Sequence, residues 1–402
     1  MIVGREDIQR REDAELAPYA VRSVRSRGRR VAEPEDPYRT PFQRDRDRII
    51  HSSAYRRLGN KTQVFITFEG EHYRTRLTHT EEATQIAVTV ARALAANQDL
   101  TEAISRAHDL GHAPFGHAGQ DALAARMAGR GGFEHNLQTL RVLDDLEVEY
   151  PGFRGLNVTM EVRDGVLAHG GAQDEDDQGY PGHRNEPAII PTRPSTIGQP
   201  SIEAQIADVA DEIAYGCHDL QDGLASGLVR REDVARAGLP WWQEAVEAIT
   251  PRGGALSPDL ERRRVKGYLI NRFISDLIVA SAARLAVAGV DTPDEVRLLP
   301  GRVIALSPSV RAMRESLHSY LAAHLYRHQE VVTMGEKAKR LLTELFDAYS
   351  ATPDQLPAAV LARAASGLSL DRAICDHIAS MTDRGAVREH HRLYDVDAQV
   401  LP

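Results

Sequence analysis

Five of the chain's 16 histidines crowd between residues 79 and 135: His79, His108, His112, His117 and His135. The densest stretch is His108-Asp109-Leu110-Gly111-His112-Ala113-Pro114-Phe115-Gly116-His117. Imidazole and carboxylate donors together suit Mn, Fe, Co, Ni or Zn, whereas an all-oxygen shell suits Mg or Ca. A catalytic ion also keeps positions open for water and substrate. His108 and Asp109 are adjacent at a predicted helix end. Their side chains diverge by about 100° but are short enough to swing onto one ion. Two further ligands must arrive from other helices. His79 opens the preceding helix, and Asp211 lies on the helix after a Gly/Pro-rich stretch. A His-Asp dipeptide alone is weak evidence. The chain holds a second, His218-Asp219, which is not read as a ligand pair, and an isolated helical histidine is usually structural. The glycines and proline between the histidines change that reading, because they make a helix stop, a tight turn and a new start that gather imidazoles at chain ends.

The elements that must position these groups read as helices. Thr78 can cap a helix from His79 to about Asn97. Further helical patterns run over Leu100–Leu110, from Pro114, and over Phe133–Glu147, Asn157–His169 and Ile202–Leu224. Later ones cover Ser257–Ala288, with Ser257 as cap and Pro258 at the first helical position, then Ser307–Arg327, Val331–Tyr349, Leu356–Ala365 and Leu370–Asp383. Residues 61–68 read as a short extended hairpin arm. Residues 170–200 are rich in Gly, Pro and acid and read as a long loop or insertion. The fold class is therefore all-α with small β additions. The domain reading is an N-terminal arm over 1–36, a core over 37–225 and a C-terminal helical region over 226–402 packing on that core. The arm, with its basic run from Arg22 to Arg30, reads as a solvated lead-in.

With 402 residues the chain can bury a sizeable core. Its net charge of -9 argues against a broad nucleic-acid surface, leaving weak single-stranded binding through the arm at most. Two cysteines, Cys217 and Cys375, exclude a disulfide framework and a cysteine-built zinc site, and point to a reducing cytoplasm. No signal peptide and no apolar stretch long enough to span a membrane is visible. No P-loop pattern is present.

Several ordered motifs carry a resemblance: Tyr55-Arg56-Arg57-Leu58-Gly59-Asn60-Lys61-Thr62-Gln63-Val64-Phe65, Arg76-Leu77-Thr78-His79, His108-Asp109-Leu110-Gly111-His112, Phe133-Glu134-His135-Asn136, and Asp208 to Tyr215. Across residues 37 to 225 the chain resembles the HD-domain deoxynucleoside triphosphate triphosphohydrolases, the bacterial dGTPase-like proteins above all. The resemblance implies an HD-domain helical fold and one divalent ion, Mn or Mg first and Fe, Co, Ni or Zn as alternatives, on His79, His108, Asp109 and Asp211. Asp208 competes for the last place. Asp211 is preferred because the family's Asp-xxx-Tyr-xxx-Asp pattern matches Asp211, Tyr215 and Asp219, which share one helical face. The resemblance further implies that Arg76 contacts phosphate, that Tyr215 lies against the deoxyribose and that Asp219 accepts from the 3′-hydroxyl. His112 and His117 would face the triphosphate, with His117 as general acid and His135 in support. Many relatives carry an acid where this chain has Gln120, with Asp121 next to it; glutamine cannot relay a proton. The implied reaction is dNTP hydrolysis to deoxynucleoside and inorganic triphosphate. The alternatives are a non-catalytic dNTP sensor and an HD phosphohydrolase of nucleoside monophosphates or signalling nucleotides. A homo-oligomer, dimer or hexamer, and a dNTP activator are implied too. His169, His218 and the remaining histidines are read as structural.

Overall fold

A computed structural model describes residues 2–64, 74–169, 198–250 and 256–396. Among these the chain is helical, with three isolated β-bridges and no strand, and no helix is long and apolar enough to cross a membrane. One bridge pairs Thr62 with Thr75; residues 65–68 of the expected hairpin arm and most of the 170–200 stretch lie outside the described residues.

The helices are α1 (Arg5–Glu15), α2 (Pro41–His51), α3 (Ser53–Leu58), α4 (Arg76–Ala93), α5 (Gln98–Ala107), α6 (Gly116–Arg126), α7 (His135–Arg141), α8 (Met160–Leu167) and α9 (Ile202–Ser226). They continue as α10 (Arg231–Arg236), α11 (Pro240–Ile249), α12 (Pro258–Ala288), α13 (Pro293–Arg297), α14 (Pro308–Leu321), α15 (Gln329–Ala351), α16 (Ala358–Ala365), α17 (Leu370–Ala379) and α18 (Asp383–Tyr394). Several starts differ from the sequence expectation for local reasons. The cap of α4 is Thr75, not Thr78: the Thr75 side chain accepts from Thr78 N, so Arg76 joins His79 in the first turn. Phe115, at φ 63°, precedes α6, so this helix starts at Gly116 rather than Pro114. The expected Leu370–Asp383 helix is two: α17 stops at Ala379, and Thr382 caps a separate α18 by accepting from Gly385 N.

Apolar side chains gather in three clusters. The largest joins α4, α9, α11, α12 and α14, so apolar packing runs uninterrupted across residue 225. A second lies among α2, α3, α5, α8 and α9. The third holds Phe115 and Leu123 of the α6 region against Leu342, Phe346 and Ile378 of the C-terminal helices. Fully buried Phe346 and Tyr349 there each contribute about 1.5–3 kcal/mol.

The N-terminal segment is not a solvated lead-in. Buried Glu12 accepts from Ser23 N at 2.8 Å and Asn97 Nδ2 at 3.1 Å. Four of the five arginines of the basic run are engaged internally: Arg22 donates to Leu16 O at 3.0 Å, Arg27 pairs with Asp164 at 2.7 Å, Arg29 pairs with buried Asp45, and Arg30 donates to Asp144 O at 3.3 Å. Those cations are therefore held against the chain's own acceptors.

Candidate metal centre and adjoining cavity

The first turn of α4, the end of α5 and the middle of α9 converge. His79 Nε2 lies 2.7 Å from Asp211 Oδ1. His108 Nε2 lies 3.5 Å from both Asp109 Oδ1 and Asp211 Oδ1. The donors of His79, His108 and Asp109 fall within 4.8 Å of one another. All four residues expected as ligands are thus brought together. Buried Asp109 Oδ2 has no hydrogen-bond partner, and an unpaired buried carboxylate oxygen among imidazoles fits a divalent cation. Burial opposes ionisation of Asp109, but the facing His108, Arg76 and His79 charges prevail and hold it at about 2. Asp211 is likewise held low against burial by His108.

The turn carrying these groups is set by close packing. A Cβ on Gly111 would come within 2.1 Å of Thr139 N, so only glycine lets α7 rest on the turn. Gly111 N donates to Thr139 Oγ1 at 2.9 Å, which donates to His108 O at 3.1 Å. His108 Nδ1 lies 2.6 Å from Ser105 O; a carbonyl only accepts, so Nδ1 carries the proton and Nε2 is left free.

Arg76 Nη1 donates to Asp109 Oδ1 at 3.1 Å, and its buried Nε has no partner. Next to it, His112 Nε2 sits 3.3 Å from Asp109 Oδ1 and its ring stacks on His135 at 4.1 Å and on His117 at 5.9 Å. Burial, then the Arg76 charge, depress both His112 and His117. Gln120 does not stand behind His117: its Oε1 lies 2.7 Å from His135 Nδ1. Asp121 does not replace the missing acid either, since it pairs with Lys339 at 3.2 Å. The carboxylate of this histidine stack is Glu134, 2.9 Å from His135 Nδ1. Sequence reading passed over it because it also caps α7, accepting from Asn136 N and Leu137 N.

A cavity of about 450 Å³ opens beside the stack, lined by Phe115, His117, Tyr215, Tyr326, Val331 and Met334 among others. Tyr215 and Tyr326 face each other with ring centroids 6.0 Å apart. Tyr326 donates to Asp219 Oδ2 at 2.5 Å, while buried Asp219 Oδ1 has no partner. Burial pushes the Asp219 carboxyl up to about 8.

Two histidines read as structural lie at the centre. His218 Nδ1 is 3.3 Å from His79 Nδ1, and its Nε2 is 3.0 Å from Glu82, which Arg74 and Lys266 also hold. His169, beyond the end of α8, places Nε2 3.5 Å from Asp211 Oδ2 and Nδ1 2.9 Å from Asp208 Oδ1. Burial lowers His169, but hydrogen bonds to Asp208 and Asp211 overcome it and raise the group to about 10. Asp208 is thus separated from the four-residue cluster by His169 and tied to Arg302. No local motif flags His169; its approach to the cluster is set by tertiary packing alone.

The HD domain model matches residues 76–216, and the phosphohydrolase-associated domain matches 304–392. The chain is 44% identical to a deoxyguanosinetriphosphate triphosphohydrolase-like protein of Geobacter sulfurreducens, covering 98% of this chain and 99% of that one. It belongs to the HD-domain dGTPase-like family of phosphohydrolases. Proteins of the same description from Thiobacillus denitrificans and Bordetella pertussis are 45% and 46% identical, each over 95% of this chain and 98% and 97% of theirs.

Proposed function

We propose that this chain hydrolyses deoxynucleoside triphosphates to deoxynucleoside and inorganic triphosphate. The observation that carries the reading is Asp219 Oδ1, a buried carboxyl oxygen with no hydrogen-bond partner, next to a cavity whose wall leads through His117 and His112 to Asp109. A sugar 3′-hydroxyl supplies the missing partner. A site built around such a bond rejects an analogue lacking the hydroxyl far more strongly than an apolar wall does. Tyr215, in the same wall, lies against the ring and excludes a 2′-hydroxyl. The related proteins' names support a triphosphate substrate.

His79, His108, Asp109 and Asp211 would hold one divalent ion, Mn or Mg first, with Fe, Co, Ni or Zn as alternatives. When bound it supplies Lewis-acid activation of water and of the α-phosphate. Arg76 has a buried, unpartnered Nε and donates to phosphate oxygens, stabilising the charge of phosphoryl transfer. His117 donates the proton to the departing 5′-oxygen. Burial, then Arg76, hold it low against the opposing Asp121 and Asp109, and the polyphosphate chain adds negative charge beside it, so substrate raises the basicity of its own proton donor. His112 hydrogen-bonds the phosphates as a neutral imidazole, and His135, backed by Glu134, keeps it in place.

A second reading, a dNTP-binding sensor without turnover, rests on Gln120 and on Asp121 being turned to Lys339. One experiment separates the two. Metal-freed protein is incubated with each dNTP, alone and in mixtures, with Mn²⁺ or Mg²⁺, and the phosphate products are resolved by ion exchange. Triphosphate with free deoxynucleoside, absent from Asp109→Ala, is the expected result. dNTP binding without turnover in every mixture would overturn the enzyme reading in favour of the sensor.

A further inference from the structure

We infer that His169 is a fifth protein ligand of the metal centre, oriented for that task by Asp208 and Arg302. The inference rests on the proposed reading that His79, His108, Asp109 and Asp211 hold a divalent ion. Two groups of donors are close enough to share a cation: His79, His108 and Asp109, and His108, His169 and Asp211. His108 belongs to both. Its Nδ1–H is committed to Ser105 O at 2.6 Å, so only Nε2 can bind an ion, and one nitrogen lone pair serves one ion. The two groups meet at that one nitrogen, so a single ion held there would draw on both.

His169 has the features of a metal-ligating histidine. Such residues give their second ring nitrogen to a carboxylate or carbonyl, which sets the tautomer and aims the free lone pair. Here Nδ1 lies 2.9 Å from Asp208 Oδ1, which leaves Nε2, 3.5 Å from Asp211 Oδ2, to face an ion that displaces its proton. The His108 and His169 ring centroids are 5.0 Å apart at 57°, an arrangement that lets both nitrogens turn toward one point. The partner of His169 is itself held. Arg302 pairs with Asp208 and donates to Ala168 O at 3.3 Å, bracketing the histidine from the preceding residue. The His169 carbonyl accepts from Asn136 Nδ2 at 3.0 Å, so its backbone is tied to α7. Three imidazoles and two carboxylates make a nitrogen-rich shell. That composition favours Mn²⁺, Fe²⁺, Co²⁺ or Zn²⁺ over Mg²⁺, which prefers oxygen donors.

Co²⁺ is the probe, titrated into the full chain and followed by its visible ligand-field bands and by calorimetry. The variants are His79→Ala, His169→Gln and Asp208→Asn. Loss of binding in His79→Ala checks the four-ligand reading by itself. If His169 coordinates, His169→Gln changes the band positions and weakens Co²⁺ binding at least about tenfold, and Asp208→Asn weakens it about 10–100-fold. Wild-type affinity and an unchanged spectrum in His169→Gln, beside lost binding in His79→Ala, would overturn the proposal and leave the four-ligand reading intact. Absence of Co²⁺ binding by the wild type overturns both. Should His169→Gln fail to melt cooperatively, pulsed EPR of the wild-type Cu²⁺ form decides. Three coupled imidazole nitrogens support the inference and two refute it.

Discussion

Replacing Asp383 with alanine tests how the C-terminal helices support the site. The Asp383 carboxylate accepts from Thr62 N at 2.8 Å, from Phe115 N at 2.9 Å and from Thr62 Oγ1. These donors come from the segment that runs into Gln63 and Val64 and from the residue before α6, both of which line the substrate cavity. Lys61 completes the staple by donating to His112 O and, at 2.9 Å, to Ala379 O. Asp383 is 8% exposed. Alanine there orphans buried N–H donors and deprives Lys61 of a counter-charge, which costs roughly 3–5 kcal/mol. In a cooperative melt of a chain of this length that is a fall in Tm of roughly 4–6 °C. Because Phe115 and Thr62 lose their anchor, kcat/KM should fall as well. Differential scanning calorimetry and steady-state kinetics of Asp383→Ala measure both. A Tm within 1 °C of wild type together with unchanged kcat/KM would refute the idea that this carboxylate holds the cavity wall.

Asp219→Asn should stabilise the protein at pH 8 and much less at pH 4. The wild-type carboxyl titrates at about 8 when folded, well above its unfolded value, so the unfolded chain ionises first and stability falls as pH rises from about 4 to 8; a pH-independent gain in urea titrations contradicts this. Gly111→Ala should cost several kcal/mol, about what overpacking a rigid backbone contact costs, whereas Gly129→Ala, with open space around it, loses only the left-handed backbone preference; equal Tm shifts for the two would contradict the close-approach argument. Mn²⁺ or Co²⁺ should raise Tm of the metal-freed protein by mass action and leave Asp109→Ala unmoved; a similar rise in the variant would place the binding elsewhere. Arg76→Ala should lower kcat/KM by at least about 100-fold, and retention of most activity would remove it from the phosphate site.

Much of the site was legible because its residues lie in short motifs whose local geometry is self-contained. His108, Asp109 and His112 share one turn, and Asp211, Tyr215 and Asp219 share one face of α9 by helical spacing alone. Helix starts were legible where a capping side chain precedes an acid or proline, as at Ser257 with Pro258. Thr75 was missed because Thr78 offers the same hydroxyl; the two together form the capping box. The break between α17 and α18 was hidden because Met381 continues an apolar pattern across it. The roles of His169 and His218 could not be read, because their partners Asp208 and His79 are brought to them by helix packing rather than by spacing, and Glu134 was quoted only as part of a motif because its capping position hid its contact with the neighbouring His135. The basic run misled because charge counts do not reveal which acceptors the fold will bring to Arg22, Arg27, Arg29 and Arg30.

The Asp383 staple also orders events in time. His79, His108, Asp109 and Asp211 are all made before residue 212, but the carboxylate that fixes Thr62 and Phe115 is synthesised 172 residues after Asp211. At about 5–20 residues per second that is a delay of roughly 10–35 s. During it a growing chain has His79, His108, Asp109 and Asp211 and no finished cavity wall. Contacts of such sequence separation close late in folding as well. A growing chain therefore holds His79, His108, Asp109 and Asp211 before it has that anchor, and a cut between residues 212 and 382 that releases the C-terminal piece would leave the four without it.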